Sequence, residues 1–284
     1  MCAFKSPETS PLIRVNRAHL EASLAFPKAL REVMLRLAWA NMQVVTVENW
    51  EMAFLFGGAT EQLAVKTESH PPTYVVCRET IFDPPPEIGL LAADAIHSMR
   101  AVLDYLAVQL VAASGNQVKK GQGGTQFPIR LERQSNGLKV AGGVSEDILR
   151  AIDSLQPYVD DVPTRNPLAV LNFLANQDKH QLLNLSVMRI NYGVTGIRFK
   201  DGQILNVASQ ECSAGLLETE VLRVPTTELR EVDSVIGPQR SGCVTWSAPP
   251  PGWPERPVSG TLITIYEHML STVLPALKGF LPRA

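Results

Sequence analysis

The clearest hydrophobic pattern in the chain lies between residues 87 and 113. Apolar side chains occur on nearly every turn of this stretch, and Gly115 follows it, as glycine commonly does after a helix. At 1.5 Å per residue a helix of this length spans roughly 40 Å, enough to cross a whole domain. Because a helix that is apolar all round is normally buried, the pattern predicts a long helix inside a helical core.

Four further stretches have helical periodicity. We predict helices over residues 12–38, 145–155, 166–180 and 259–280. Pro27 is expected to split or kink the first of them. Asn166 is expected to cap the third, with Pro167 at its first position. Residues 39–70 stay unassigned, because their apolar runs are compatible with short strands and with helix turns.

From Leu182 onward the hydrophobic period becomes that of strands. We predict strands over residues 185–190, 197–199, 203–208, 216–224 and 243–246, after an earlier strand at 74–78 and a short edge strand at 127–131. Asp201-Gly202 between two of these strands predicts a hairpin turn.

Helices followed by strands and then by one helix favour an α+β fold over an alternating α/β fold. We therefore predict a helical bundle with an appended antiparallel β-sheet of four to five strands. The expected organisation is a single domain over residues 1–284, with a mainly helical part at 12–183, a sheet at 184–247 and a helix at 259–281 that returns to the bundle. No strand is followed by Gly-x-Gly-x-x-Gly, which argues against a dinucleotide-binding fold.

Composition narrows the classes of function. The formal net charge is −2, from 26 Lys and Arg against 28 Asp and Glu, which excludes a broad basic surface but leaves room for a small basic pocket. The four cysteines are far apart and form no Cys-x-x-Cys pair, so we predict neither a zinc cage nor a disulfide framework, and a cytoplasmic location. The two most apolar runs contain charged residues, so no membrane-spanning helix is predicted.

Four ionisable residues, Asp94, His97, Arg100 and Asp104, interrupt the long apolar helix on one side. At about 100° per residue they fall within a stripe roughly 120° wide. The stripe is compatible with the wet side of an amphipathic helix, which is our interpretation of Asp94. For the other three we favour a buried or cleft-lining position, because apolar residues share their side and no Lys or Glu accompanies them.

A second polar cluster, Asn176-Gln-Asp-Lys-His180, ends the helix that begins near Asn166. Asp178 falls on the apolar side of that helix, where a carboxylate is costly unless it is paired. Arg100 is the expected partner, since guanidinium and carboxylate form two-pronged pairs. His180 would lie at the helix end, where a protonated imidazole interacts favourably with the dipole. Asp178 as a simple turn cap is an equally supported alternative.

Four of these segments also carry a resemblance. They are, in order, His97-Ser-Met-Arg100-Ala-Val-Leu-Asp104-Tyr-Leu106, Phe127-Pro-Ile129, Gln156-Pro-Tyr158 and Asn176-Gln-Asp-Lys-His180. Together they resemble a widespread family of uncharacterised bacterial proteins over roughly residues 74–183. This resemblance implies no known activity.

A more distant resemblance is to the HEPN superfamily, helical bundles that often cleave RNA without a metal. HEPN enzymes typically pair an Arg with a His a few residues later on one helix. Here no Arg lies within a few residues before His180. The resemblance therefore implies that Arg100 supplies the arginine from another helix.

Three functions are compatible with these residues. In the first, the protein cleaves RNA or another phosphate ester. Arg100 binds the phosphate, and His97 or His180 acts as general acid or base. Asp104 and Asp178 orient the imidazole or the guanidinium. In the second, the same residues form a buried polar lock in a non-catalytic binding or structural protein. A metal-dependent hydrolase with His97, Asp104, Asp178 and His180 as ligands ranks third, because no His-x-x-x-His or Glu-x-x-His spacing is present.

The candidate site residues are His97, Arg100, Asp104, Asn176, Asp178, Lys179 and His180. We assign no cofactor and no metal. The predicted partner is RNA or a phosphorylated small molecule, with no membrane, and the sequence is compatible with a homodimer.

Overall fold

The structure of the protein is a computed structural model, and its description begins at residue 28. It covers residues 28–57, 64–68, 73–79, 83–121, 123–179, 183, 185–193, 196–206, 212–213, 219–226, 231–236, 239–254 and 256–281. The predicted helical residues 12–27 and the predicted strand residues 207–208 and 216–218 lie outside this part of the chain.

The described helices share clear sequence signals at several of their ends. They are α1 (Lys28–Gly57), α2 (Pro86–Ala113), α3 (Glu146–Asp153), α4 (Pro167–Asp178), α5 (Val258–His268) and α6 (Leu274–Leu277). The Asn166 side chain accepts a 2.8 Å hydrogen bond from the Leu168 amide, and Pro167 begins α4, as predicted. Gly115 follows α2 with a φ of +73°, in the left-handed conformation that ends helices.

α1 extends well beyond the predicted end at residue 38. Its least exposed apolar residues recur at spacings of four and three along the helix: Val33, Leu37, Ala40, Val44 and Val47. This spacing places them on one face of a helix. Residues 39–57, which the sequence left unassigned, are therefore helical.

The last predicted helix, over residues 259–280, is divided near Pro275. A π-helical turn over Met269–Val273 separates α5 from α6, and a short 3₁₀ turn over Lys278–Phe280 follows. Proline lacks an amide hydrogen and its ring crowds the preceding turn, so a regular helix cannot pass through it unchanged.

Nine strands form three antiparallel sheets in the described part of the chain. They are β1 (Ala64–Glu68), β2 (Thr73–Glu79), β3 (Leu185–Gly193), β4 (Gly196–Phe199), β5 (Ile204–Asn206), β6 (Cys212–Ser213), β7 (Thr219–Thr226), β8 (Val232–Ile236) and β9 (Gln239–Trp246). The strand orders are β1-β2-β7, β6-β3-β9 and β5-β4-β8. The α+β class is confirmed, but each described sheet has three strands rather than the four or five predicted.

The predicted hairpin between β4 and β5 is confirmed. Asp201 accepts a 2.9 Å hydrogen bond from the Gln203 amide, and Gly202 has a φ of +83°. A positive φ is accessible to glycine without steric cost, which explains the Asp-Gly sequence.

The contacts along the chain divide it into two compact units. The first comprises Met1–Glu48, Gly89–Leu183 and Ala248–Ala284, and the second comprises Asn49–Ile88 and Asn184–Ser247. All nine strands belong to the second unit. The single-domain organisation stays a prediction. None of the described helices combines the length and the hydropathy that a membrane span requires.

The core of the first unit is built around α2. Its fully buried side chains are Ile96, Met99, Leu103, Leu106 and Leu110, together with Leu168, Leu171 and Leu174 of α4. Burying each such side chain stabilises the fold by about 1.5–3 kcal/mol. The apolar pattern of the long helix thus predicts its burial correctly.

The predicted edge strand at residues 127–131 is wrong. This segment has no strand partner among the described residues, although Phe127 and Pro128 are buried. The side chains of Arg100 and Asp104 in α2, and that of Gln156, form hydrogen bonds with its backbone instead. Buried backbone groups need partners, and here side chains take the place of a neighbouring strand.

Candidate functional site

Arg100 and Asp104 hold the backbone of a single residue, Phe127. Arg100 Nη2 donates a 2.8 Å hydrogen bond to the Phe127 carbonyl oxygen, and the Phe127 amide donates a 2.9 Å hydrogen bond to Asp104 Oδ1. The same Nη2 lies 3.0 Å from Asp104 Oδ1, one helical turn along α2. We call this arrangement the backbone clamp. It satisfies both polar groups of Phe127, as an adjacent strand would.

Gln156 holds the residues that follow. Its Nε2 donates to the carbonyl oxygens of Pro128, at 3.0 Å, and Ile152, at 3.1 Å, and its Oε1 accepts a 3.0 Å hydrogen bond from the Arg130 amide. The Gln156 residue is fully buried. A buried carboxamide that is fully hydrogen-bonded fixes its surroundings strongly.

Sequence reasoning missed the role of Gln156. The only signal was its place in the Gln156-Pro-Tyr158 segment of the four-segment pattern. That pattern singles out the residue, but it does not indicate which groups its side chain contacts. The partners come from a segment 26 and 28 residues away in the chain.

His97 and Asp178 form a second pair, which joins α2 to the end of α4. His97 Nε2 lies 2.6 Å from Asp178 Oδ2. The His97 side chain is 47% exposed and that of Asp178 16% exposed. The prediction that Asp178 needs a partner is confirmed, but the predicted Arg100–Asp178 pair is wrong. Arg100 is instead committed to Asp104 and Phe127, and the imidazole three residues earlier on α2 meets the carboxylate.

The other candidate residues occupy different surroundings. Asn176 and Lys179 are exposed near the end of α4, and Asp94 is exposed on α2, as interpreted. His180 lies outside the described residues. The structure therefore brings four of the seven candidates into two contacts, and it brings Asn176 and Lys179 into neither.

The Arg100 guanidinium is partly desolvated. Burial lowers the pKa of Arg100, and the charge of Asp104 opposes that effect. An arginine stays protonated in proteins, so the guanidinium keeps its charge at neutral pH. The Nη1 atom is buried and has no hydrogen-bond partner among the described residues. Arg100 therefore presents no exposed N–H group from that atom.

Three clefts are lined by described residues of the first unit. The first, of about 550 Å³, is lined by Glu32, Leu35, Arg36, Trp39, Ser98 and Ala101. The second, of about 440 Å³, is lined by Ile129, Leu131, Ala169, Asn172, Phe173, Asn176 and Gln177, and we call it the carboxamide cleft. The third, of about 710 Å³, is lined by residues 129–136 and Asn172, and we call it the loop cleft. The clamp and the His97–Asp178 pair line none of these three.

The proposed metal ligands do not form a centre in the described part of the chain. No three His, Cys, Asp or Glu side chains come together there as a metal site requires. Asp104 Oδ1 already accepts the Phe127 amide. Of the four residues considered as ligands, His97 and Asp178 are in contact with each other.

Comparison with known proteins gives no match: no family model, no curated protein and no solved structure corresponds to this chain. The resemblances to the bacterial family and to the HEPN superfamily therefore stay predictions. So do the RNA, phosphorylated-ligand and homodimer partners.

Proposed function

We propose that this protein is a non-catalytic binding protein in which the backbone clamp and the His97–Asp178 pair act as a polar lock. The lock fixes the positions of α2, α4 and residues 127–130. Ile129, in this segment, lines both clefts beside α4, and Arg130 lines the loop cleft. The ionisable residues thus support a binding surface rather than carry out a reaction.

The observation that supports this proposal is that Arg100 and Asp104 form hydrogen bonds with the backbone of Phe127. Arg100 Nη2 and Asp104 Oδ1 bind opposite polar groups of the same residue, Phe127, whose residue exposure is 1%. A phosphate bound by Nη2 would compete with a buried carbonyl group, which would then lose its partner. An unpaired buried polar group costs about 1–3 kcal/mol. A phosphate-binding role would therefore oppose the structural one.

A thermal melt of Arg100→Met tests the lock. Methionine preserves the apolar stem but provides no donor, so the Phe127 carbonyl loses its partner and the Asp104 carboxylate keeps only the Phe127 amide. We expect the free energy of unfolding to fall by about 2–4 kcal/mol. Arg198→Met is the matched control, because Arg198 is an exposed arginine of β4. An unchanged melting temperature for Arg100→Met would contradict the lock.

Cleavage of RNA or another phosphate ester is the second candidate function. The observation that favours it is the half-exposed His97 imidazole, whose Nε2 is held by the Asp178 carboxylate. A carboxylate that orients an imidazole through one nitrogen leaves the other to exchange protons with a substrate. Lys179, exposed and adjacent in sequence to Asp178, would lie near such a substrate.

Incubation with mixed RNA oligonucleotides, with and without divalent ions, separates the two candidates. The binding protein leaves the oligonucleotides intact under both conditions. Cleavage that is lost in a correctly folded His97→Gln variant, and retained in Gln126→Leu, would replace the first proposal by the second. Gln126 is a suitable control, because it is exposed and belongs to the same unit.

A further inference from the structure

Three side-chain carboxamides of α4 line the carboxamide cleft. They belong to Asn172, to Asn176 about one helical turn later, and to Gln177. Within the described residues, none of these three groups has a hydrogen-bond partner. Each offers one acceptor oxygen and two donor hydrogens. The cleft therefore presents a set of donors and acceptors that the protein leaves to solvent or to a ligand.

The remainder of the carboxamide cleft is apolar. Phe173, half-buried on the same helix, lies among aliphatic side chains that include Ile129 and Leu131. A volume of about 440 Å³ falls within the range that holds a small organic ligand. An aromatic ring next to carboxamides suits a planar heterocycle, because bases stack on aromatic side chains and carboxamides form paired hydrogen bonds with base edges.

The loop cleft brings two arginines and one carboxylate next to this surface, because Arg130, Arg133 and Glu132 all line it. It shares Ile129, Leu131 and Asn172 with the carboxamide cleft, so the two are continuous. Arg130 is exposed, and its guanidinium has no ion-pair partner in the described part of the chain.

Arg133, the second arginine of the loop cleft, is held in place. Its Nη2 lies 3.6 Å from Asp153 Oδ2, and its guanidinium lies 5.1 Å from the centroid of the Tyr158 ring. Because Arg133 is paired with Asp153, Arg130 is the guanidinium of this cleft that remains for an anion. An arginine beside a set of carboxamides suits a ligand with a phosphate at one end and a heterocycle at the other.

We propose that the two clefts together bind a nucleoside 5′-phosphate, either free or as one nucleotide of a single-stranded RNA. The base occupies the carboxamide cleft, and the phosphate lies in the loop cleft near Arg130. The inference rests on the proposed binding function, and it names the ligand of that function. A single nucleotide requires contact with only one phosphate. This agrees with a net charge of −2, which supplies no extended basic surface.

The polar lock has a defined purpose in this arrangement. The backbone clamp and Gln156 fix residues 127–130, and Ile129 and Arg130 belong to the cleft wall. Binding groups that are held in place before the ligand arrives lose less entropy on binding. The backbone clamp, which is part of the polar lock, and Gln156 therefore preorganise one wall of the nucleotide site, and α4 provides the other.

Isothermal titration of the full chain with AMP, GMP, CMP and UMP, and with a short single-stranded RNA of mixed sequence, tests the inference. We expect saturable binding of at least one probe. Binding of a free nucleotide identifies the small-molecule source, and binding of the RNA alone identifies the polymer. No binding of any probe at millimolar concentration would overturn the inference.

Two variants locate the site. Asn172→Leu keeps the size of the side chain but removes its hydrogen bonds, and it should weaken binding about tenfold or more. Arg130→Met should weaken binding and reduce its dependence on salt concentration. Gln126→Leu is the control and should bind as the unmodified protein does. Equal affinities in all three variants would overturn the assignment of the site.

Comparing nucleotide binding with the thermal melt of Arg100→Met distinguishes failure of the ligand proposal from failure of the lock. A destabilised Arg100→Met variant together with absent nucleotide binding would refute the ligand and leave the lock in place. Nucleotide binding that depends on Asn172, together with an unchanged melting temperature of Arg100→Met, would refute the lock and leave the ligand in place.

Discussion

His97 Nε2 and Asp178 Oδ2 lie 2.6 Å apart, and this contact joins the middle of α2 to the last residue of α4. The carboxylate is the more buried partner, with 16% of its side chain exposed against 47% for the imidazole. A carboxylate in such a position needs a partner that donates a hydrogen bond. The imidazole therefore stabilises a helix end that would otherwise carry an unpaired charge.

Removing the imidazole should loosen this contact. We expect His97→Leu to lower the free energy of unfolding by about 1 kcal/mol, because solvent at the exposed imidazole screens the interaction. Urea unfolding followed by circular dichroism measures the change. Combining His97→Leu with Asp178→Asn should cost less than the sum of the single changes. Fully additive values would show that the two side chains do not interact.

The backbone clamp predicts an order among variants of Asp104. Asp104→Asn retains an oxygen that can accept the Phe127 amide, whereas Asp104→Leu leaves that amide unpaired. Thermal melts should therefore show a smaller loss for Asp104→Asn than for Asp104→Leu, by about 1–2 kcal/mol. Equal losses in the two variants would mean that the hydrogen bond to Phe127 contributes nothing.

Gln156 should be among the most sensitive polar positions in the first unit. Gln156→Leu removes three hydrogen bonds from a fully buried residue, so we expect a loss of about 2–4 kcal/mol. Amide hydrogen exchange gives a local measurement, because the Arg130 amide should lose its protection. Unchanged protection of that amide would argue against the contact. Gln126→Leu, at an exposed site, provides the baseline.

His268 should make stability depend on pH. Burial lowers the pKa of His268, the charge of Asp160 opposes that effect, and Nε2 is buried without a partner among the described residues. The unfolded chain therefore binds this proton at a higher pH than the folded chain, so stability increases with pH between the two pKa values. Lowering the pH from about 7 to about 5 should reduce the melting temperature.

The same pH series on His268→Leu isolates the contribution of this histidine. Carboxylates elsewhere in the chain titrate in both proteins, so their effect cancels in the difference between the two curves. The curve of the variant should be flatter between about pH 7 and about pH 5. Two parallel curves would show that His268 does not contribute.

Local signals in the sequence predicted local structure well. The Asn166-Pro167 start of α4, the glycine after α2 and the Asp201-Gly202 turn are confirmed, because each depends on the conformational preference of one or two residues. The burial of α2 is confirmed for a similar reason, since its apolar pattern leaves little polar surface.

Features that depend on distant partners were not predictable in this way. Val44, Val45 and Val47 favour strands by intrinsic preference, yet packing of one face makes residues 39–57 helical. Residues 127–131 have the composition of a strand, but side chains replaced the neighbouring strand. The partner of Asp178 depended on the register between α2 and α4, which helical periodicity does not determine.

The backbone clamp contacts only the main chain of residue 127. Its hydrogen bonds would form with any amino acid except proline at that position, so the clamp places no polar requirement on the side chain. Exposed positions of the loop before it, such as Lys120, take no part in the clamp, so residues inserted there should not move the segment that follows. A peptide tag or a reporter inserted at such a position should therefore leave Ile129 and Arg130 in place in the walls of the clefts.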